Sequence, residues 1–175
     1  MSCLFTRPLL FTLAWVAAVA LGFAAIHSYD QEPGASAAPI GTTSLLGSYA
    51  STLNVTADNL YVFAPRWDDD HSTTSIYQFA LGAADPSLVA TGSVPGSLIN
   101  QYSADATGGY LRVATSDWND GKANNGLYVL QDQGRRLNIV GKVDNLAPGE
   151  SLQAARFVGD RAYLVTFEQV DPLWG

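Results

Sequence analysis

Several short sequence patterns recur along the chain at a spacing of about 50 residues. Leu60-Tyr61-Val62 returns 51 residues later as Leu111-Arg112-Val113, each time shortly after a turn-forming pair of residues. Ile76-Tyr77 returns as Leu127-Tyr128 at the same 51-residue spacing. Further copies are Gly92-Ser93-Val94 with Gly141-Lys142-Val143, and a third unit that begins at Phe157 and continues through Gly159-Asp160 to Tyr163-Leu164-Val165. Self-similarity at a fixed period indicates a repeat architecture, in which one structural unit is copied along the chain.

Each repeat contains four segments that are typical of β-strands. In the first repeat these segments are 51–56, 60–64, 75–81 and 88–94, which are rich in β-branched and aromatic residues and bounded by turn formers. No sustained helical period follows residue 45. Four strands in a unit of about 50 residues are typical of a β-propeller blade, whereas an immunoglobulin-like sandwich has no internal repeat. Residues 45–175 are therefore predicted to form an all-β partial β-propeller of about two four-stranded blades plus the start of a third.

The N-terminal part of the chain has a different character. Residues 9–26 form an uncharged apolar run, preceded by Arg7 and followed by Asp30 and Glu32. This run predicts an N-terminal hydrophobic helix, with residues 1–26 acting as a signal anchor or signal peptide. The positive flank places the remainder outside the cytoplasm, either secreted or attached to the membrane through an uncleaved segment. Residues 27–44 are predicted to be a flexible linker because they combine Pro and Gly with small residues.

Composition excludes several classes of function. Apolar residues make up 47% of the chain and charged residues 14%, which is typical of a folded protein. The net charge of −7 argues against nucleic acid as a partner. Cys3 is the single cysteine and has neither a disulfide partner nor a spaced ligand set. No metal site and no cofactor are predicted.

One end of the blades combines acidic residues with tryptophan. The loops that join the second and third strands share a face with the connections between blades; these segments are 66–73, 95–97, 117–125 and 144–151. They contain seven acidic residues against two basic ones. Trp67 and Trp118 lie 51 residues apart in equivalent loops. The candidate binding face comprises Trp67, Asp68, Asp69, Asp70, Trp118, Asn119 and Asp120.

Two interpretations of these loops remain open. The face binds a cation, a sugar or a basic partner segment, because carboxylates coordinate hard cations and an indole ring stacks on sugars and cations. Alternatively, both tryptophans pack between the blades and the acids are merely solvated. Asp117-Trp118-Asn119-Asp120-Gly121 departs from a calcium-binding loop, since Gly121 stands where a third oxygen ligand is needed.

Catalytic residues are not assigned. The sequence lacks a nucleophile-elbow motif, a phosphate-binding loop and a spaced Cys/His set. His71 lies among the acids of the first loop, where a surface histidine is more often a bystander than a general base. A pair of carboxylates for glycoside hydrolysis stays open, because loop acids from two blades can converge in space.

Several longer segments resemble a known family. These segments are Gly92-Ser93-Val94-Pro95-Gly96, Tyr110-Leu111-Arg112-Val113-Ala114-Thr115, Leu146-Ala147-Pro148-Gly149-Glu150 and the run from Arg156 to Phe167. Over residues 45–174 the chain resembles secreted prokaryotic proteins with a C-terminal β-propeller, which are distant relatives of WD-repeat proteins. The resemblance implies an exported propeller and implies no reaction.

Three functions remain after this reading of the sequence. The first is an extracytoplasmic binding or scaffold module with a protein or carbohydrate ligand. The second is a propeller enzyme that acts on carbohydrate. The third is a fragment without independent function, since members of the family are several times longer and a propeller ring closes with four to eight blades.

Overall fold

The described part of the chain consists almost entirely of β-strands. The computed structural model describes residues 13–19, 23–29, 41–46, 52–68, 71–82, 86–119 and 122–168. Within these residues the secondary structure comprises thirteen strands, β1 to β13, and one short 3₁₀ turn at Gln101–Ser103. The prediction of an all-β partial propeller is confirmed.

The first blade is an antiparallel four-stranded meander. Its strands are β4 (Thr52–Val55), β5 (Asn59–Trp67), β6 (Ser72–Ala80) and β7 (Ser87–Pro95). Each strand pairs with the next one along the chain. These strands coincide with the four predicted segments to within a few residues. The agreement is close because turn-forming residues bound each segment and end the strands locally.

The second blade repeats the same meander about 50 residues later. Its strands are β8 (Ala104–Thr107), β9 (Tyr110–Asn119), β10 (Lys122–Asp132) and β11 (Arg136–Leu146). The last strands of the two blades meet in parallel, so that the eight strands run in the order β4-β5-β6-β7-β11-β10-β9-β8. The two blades thus join at their outer strands.

A shared apolar core lies between the first two blades. Alternate residues of each strand point to opposite faces of a sheet, and one face of each blade supplies this core. Its fully buried members include Phe63, Ile76 and Val94 from the first blade and Leu111, Val113 and Leu130 from the second. Each such side chain stabilises the fold by roughly 1.5–3 kcal/mol relative to an exposed position. The blades therefore support each other through burial.

The third blade is represented by its first two strands, β12 (Ser151–Val158) and β13 (Arg161–Phe167), which pair in antiparallel fashion. Ala114, on the opposite face of β9 from Val113, packs with Leu152 and Ala155 of β12. Both faces of the second blade therefore pack against a neighbouring blade, as in a propeller.

Arg112 connects the second blade to the third. Its guanidinium donates to the Asp105 carboxylate on β8, and its Nη1 donates to the Gly159 carbonyl oxygen at 2.7 Å. The same guanidinium lies 5.1 Å from the centre of the Phe157 ring. One side chain thus contacts an acid of its own blade and the first hairpin of the next.

The prediction of an N-terminal hydrophobic helix is wrong. Residues of the apolar run form β1 (Leu13–Val19) and β2 (Phe23–Tyr29), which pair in antiparallel fashion. Strand β3 (Gly41–Leu46) adds to β2 and completes a three-stranded sheet. Strands β2 and β3 also overlap the two ends of the predicted linker. An unbroken apolar run has no period that separates a buried strand from a buried helix, so length alone suggested the helix. None of the described residues forms a helix of the length and hydrophobicity needed to cross a membrane.

Candidate functional site

Trp67 lies at the end of a tight hairpin in the first blade. It pairs across the hairpin with Ser72, and the next pair of residues, Asp68 and His71, exchanges two backbone hydrogen bonds of 2.9 and 3.2 Å. The described hairpin therefore closes at the pair Asp68 and His71. Strand β5 is buried as far as Pro65 and emerges into solvent at Arg66. The Trp67 side chain is consequently 66% exposed.

Trp118 has the equivalent position in the second blade. It pairs with Ala123, and the hairpin closes through the pair Asn119 and Lys122. The Trp118 side chain is 59% exposed. The alternative expectation, that both tryptophans pack between the blades, is wrong, because the apolar core ends before the strands reach these positions. We refer to the segments 67–72 and 118–123 as the tryptophan hairpins.

Asp117 joins the two tryptophan hairpins. Its Oδ1 accepts hydrogen bonds from the Ser72 backbone nitrogen at 2.8 Å and from the Ser72 hydroxyl at 2.7 Å. Its Oδ2 lies 3.5 Å from Nδ1 of His71. Partial burial raises the pKa of Asp117, but the hydrogen bonds from Ser72, the Trp118 backbone and His71 outweigh burial, so this pKa lies below its usual value. Asp117 is therefore a contact between blades and not a free surface acid.

Two buried polar side chains hold the connections between blades on the same face. Thr74 and Asn125 are 51 residues apart and are 0% and 1% exposed. The Thr74 hydroxyl donates to the Gly96 carbonyl oxygen at 2.7 Å in the first connection. Asn125 Nδ2 donates to the carbonyl oxygens of Leu146 and Glu150 at 2.9 and 2.8 Å in the second. The prediction that these loops and connections share a face is confirmed, and we call this end of the blades the loop face.

Sequence reasoning missed Ser72, Thr74 and Asn125. Thr74 and Asn125 occupy equivalent positions in the 51-residue repeat, but each stands in a polar stretch of its strand, so the sequence does not distinguish them from exposed polar residues. Ser72 lacks even a polar counterpart in the repeat, because Ala123 stands 51 residues later. Its partner lies 45 residues away in the next blade, and only the packing of the blades brings them together.

Several acids of the loop face are already engaged within the chain. Asp144 accepts a hydrogen bond from the Lys142 ammonium group at 2.6 Å, and this partner lowers the pKa of Asp144. Glu150 accepts a hydrogen bond from the Thr166 hydroxyl. Asp117 and Glu150 are thus engaged by residues of other strands, and Asp144 by a residue of its own strand β11. The charge available to a ligand is therefore smaller than the sequence count suggests.

The remaining candidate residues are placed only in part. Asp68 and Asn119 begin the turns of the two hairpins, while Asp69, Asp70 and Asp120 lie outside the described residues. Among the residues that the structure does describe, no group of three His, Cys, Asp or Glu side chains is arranged to hold a metal ion.

The cluster of Ser72, His71 and Asp117 differs from a catalytic triad. In a triad the histidine stands between the serine and the acid and removes the serine proton. Here the Ser72 hydroxyl donates directly to Asp117, and His71 approaches the other carboxylate oxygen. This arrangement positions the hairpins relative to each other, and it bonds the serine hydroxyl to the acid instead of to the histidine.

Comparison with known proteins agrees with this geometry. The family model described as a beta propeller domain matches residues 18–175. The chain belongs to the β-propeller domain family. No solved structure matches this propeller significantly.

Two curated relatives share part of this propeller. An uncharacterized protein of Methanocaldococcus jannaschii is 46% identical over 88 residues, which cover 49% of the chain and 14% of the relative. An uncharacterized protein of Archaeoglobus fulgidus is 46% identical over 83 residues, which cover 47% of the chain and 12% of the relative. The match thus spans less than a fifth of the length of either relative.

Proposed function

We propose that this propeller is an extracytoplasmic binding module whose loop face binds carbohydrate through Trp67 and Trp118. The observation that carries the proposal is the exposure of both indoles, 66% and 59%, at equivalent positions of adjacent blades. Large aromatic side chains are usually buried, and a repeated pair in solvent is typical of a ligand-binding surface.

The geometry favours a sugar over a cation. The two backbone hydrogen bonds between Asp68 and His71 hold the backbone next to Trp67, so little backbone entropy is lost on binding. The apolar face of a sugar ring packs on an indole by burial of area. Asp117, Asp144 and Glu150 already have partners within the chain, which reduces the free negative charge that a cation or a basic segment requires.

The proposal is tested by affinity electrophoresis of the full chain in gels that contain soluble polysaccharides. Trp67→Ala and Trp118→Ala are each expected to weaken retardation about tenfold, the effect of losing roughly 1.5 kcal/mol of apolar burial. Tyr110→Ala is the matched control, because Tyr110 is an exposed aromatic residue at the opposite end of β9. Equal binding by wild type and both tryptophan variants would overturn the proposal. If the chain binds an oligolysine peptide through the tryptophans and binds no glycan, the proposed ligand becomes a basic protein segment instead of a sugar.

The location of the protein outside the cytoplasm is also a proposal. It is supported by the resemblance of residues 45–174 to secreted prokaryotic proteins, and not by the uncharged run at residues 9–26, because residues of that run form strands β1 and β2. Fractionation of cells that express the full chain tests it, and N-terminal sequencing of the recovered protein separates a cleaved signal peptide from an anchor. Recovery in the cytoplasmic fraction with an intact N-terminus would contradict it.

We further propose that the loop face works within a closed ring to which other blades contribute. The described residues form two four-stranded blades, two strands of a third and the three-stranded sheet β1–β3, whereas propeller rings contain four to eight blades. Sedimentation velocity and urea unfolding of the full chain test this idea. Aggregation or a broad, non-cooperative transition is expected, and a monomer that unfolds cooperatively would refute it.

A further inference from the structure

The seam between the first two blades contains a groove. Strands β7 and β11 pair at only two positions, Arg136 with Thr91 and Leu137 with Gly92. At the second position a Cβ atom on residue 92 would lie 2.6 Å from the Leu137 carbonyl oxygen, so glycine permits the close approach of the strands. A groove of about 610 Å³ lies beside this junction. This volume is within the usual range of small-molecule sites, roughly 300–1,000 Å³.

Polar groups without partners line the seam groove. Ser75, Tyr77, Thr91 and Ser93 supply four hydroxyl groups, and Arg136 supplies a guanidinium group. In the part of the chain that the structure describes, none of these five side chains has a hydrogen-bond or ion-pair partner. No Asp or Glu is among the lining residues. The groove therefore presents a positive charge and several hydroxyls in a protein whose net charge is −7.

We propose that the seam groove binds a polyhydroxylated carboxylate of the sugar-acid class. A guanidinium group binds a carboxylate through two parallel charge-assisted hydrogen bonds. Serine, threonine and tyrosine hydroxyls both donate and accept, and therefore match the hydroxyl groups of a sugar ring. The ligand is either a free sugar acid or the terminal acidic residue of a longer glycan, since both present the same groups.

This site is independent of the tryptophan hairpins. None of the residues in segments 67–72 and 118–123 lines the seam groove. Loss of binding at one site is therefore expected to leave binding at the other site unchanged. A result that refutes one proposal does not refute the other.

Isothermal titration of the full chain with glucuronate, glucose and an oligoglucuronate tests the proposal. Glucuronate is expected to bind at least tenfold more tightly than glucose, because only glucuronate carries the carboxylate. Arg136→Gln is expected to weaken glucuronate binding about tenfold to hundredfold, the usual effect of losing a charge-assisted hydrogen bond. Stronger binding of the oligomer than of glucuronate would identify the terminal residue of a glycan as the natural source, and equal binding would identify the free sugar acid.

Arg161→Gln is the matched control, because it removes the same charge from an exposed position at the start of β13. Its affinity for glucuronate is expected to equal that of the wild type. Equal losses in both variants would show diffuse charge attraction and overturn the proposal, as would the absence of glucuronate binding at millimolar concentration. If Arg136→Gln lowers the melting temperature, Ser93→Ala provides the second variant, and unchanged binding by it would also contradict the proposal.

Discussion

Asp117 of the second blade accepts both the backbone and the hydroxyl hydrogen bonds of Ser72 in the first blade, across 45 residues of sequence. The contact lies directly beneath the two exposed tryptophans, since Trp67 pairs with Ser72 and Trp118 follows Asp117. The relative position of the two indoles therefore depends on a hydrogen-bonded pair that connects neighbouring blades.

Asp117→Ala is expected to destabilise the protein by about 1–3 kcal/mol, because it removes two hydrogen bonds to a charged acceptor and leaves the Ser72 donors unpaired. Urea unfolding followed by circular dichroism measures this change. Asp160→Ala, in an exposed turn at the other end of the blades, serves as the control and is expected to change stability by less than about 0.5 kcal/mol. Equal effects of the two substitutions would refute the structural role of Asp117.

The same carboxylate is expected to make stability depend on pH. Because the folded pKa of Asp117 lies below its unfolded value, its contribution is complete above the unfolded pKa of about 3.9. The contribution is then lost as the pH falls through the folded pKa. The free energy of unfolding of the wild type should thus decrease more steeply below about pH 4 than that of Asp117→Asn. Parallel pH profiles from pH 2 to 7 would contradict this assignment.

Asn125→Ala should loosen the connection between the second and third blades. The substitution leaves the Leu146 and Glu150 carbonyl oxygens without their donor and creates a small cavity, at a cost of about 2–3 kcal/mol. Hydrogen exchange is expected to rise in β12 and β13 more than in the first blade. Asn138→Ala provides the comparison, because Asn138 is exposed and its bond to Gln133 lies within one hairpin. Uniform exchange in Asn125→Ala would contradict a local role.

Arg112→Met keeps most of the apolar stem and removes the contacts to Asp105 and Gly159. A loss of about 1–3 kcal/mol is expected, since the guanidinium is largely buried and its bonds are charge-assisted. Arg112→Lys should recover only part of this loss, because a lysine lacks the planar fork that contacts two acceptors at once. Thermal unfolding tests the order of the three proteins, and full recovery by lysine would show that charge alone is sufficient.

Gly92 and Gly141 form a matched pair in the two outer strands. An added Cβ at residue 92 meets the Leu137 carbonyl oxygen at 2.6 Å, whereas the nearest atom to one at residue 141 is 3.7 Å away. Gly92→Ala is therefore expected to destabilise the protein by about 1–3 kcal/mol through overpacking, and Gly141→Ala should be nearly neutral. Chemical denaturation of both variants measures the difference. If both variants have similar free energies of unfolding, the close approach of Gly92 to Leu137 does not contribute to stability, and β7 and β11 can move apart at no cost in free energy.

The repeat allowed the blade strands to be predicted with little error. Leu60 and Leu111 begin equivalent buried segments. The turn-forming residues beside them set the strand ends through local backbone preferences. The apolar run at residues 9–26 led to a wrong prediction of a helix, because hydrophobicity without a period fits both helix and strand. The tryptophans were found through their spacing, but their exposure was not, since it depends on where the core between the blades ends.

The sequence by itself determined the all-β class, the four-strand unit and the equivalence of Trp67 with Trp118. These features follow from alternation, turn chemistry and repetition, which act within a few residues or at a constant spacing. Only the tertiary structure decided that Asp117 binds Ser72, that Gly92 lies against Leu137 and that four hydroxyls and Arg136 share one groove. The physical reason is that these contacts join segments that are distant in sequence, 45 residues apart for Ser72 with Asp117, and the packing of one blade on the next brings them together.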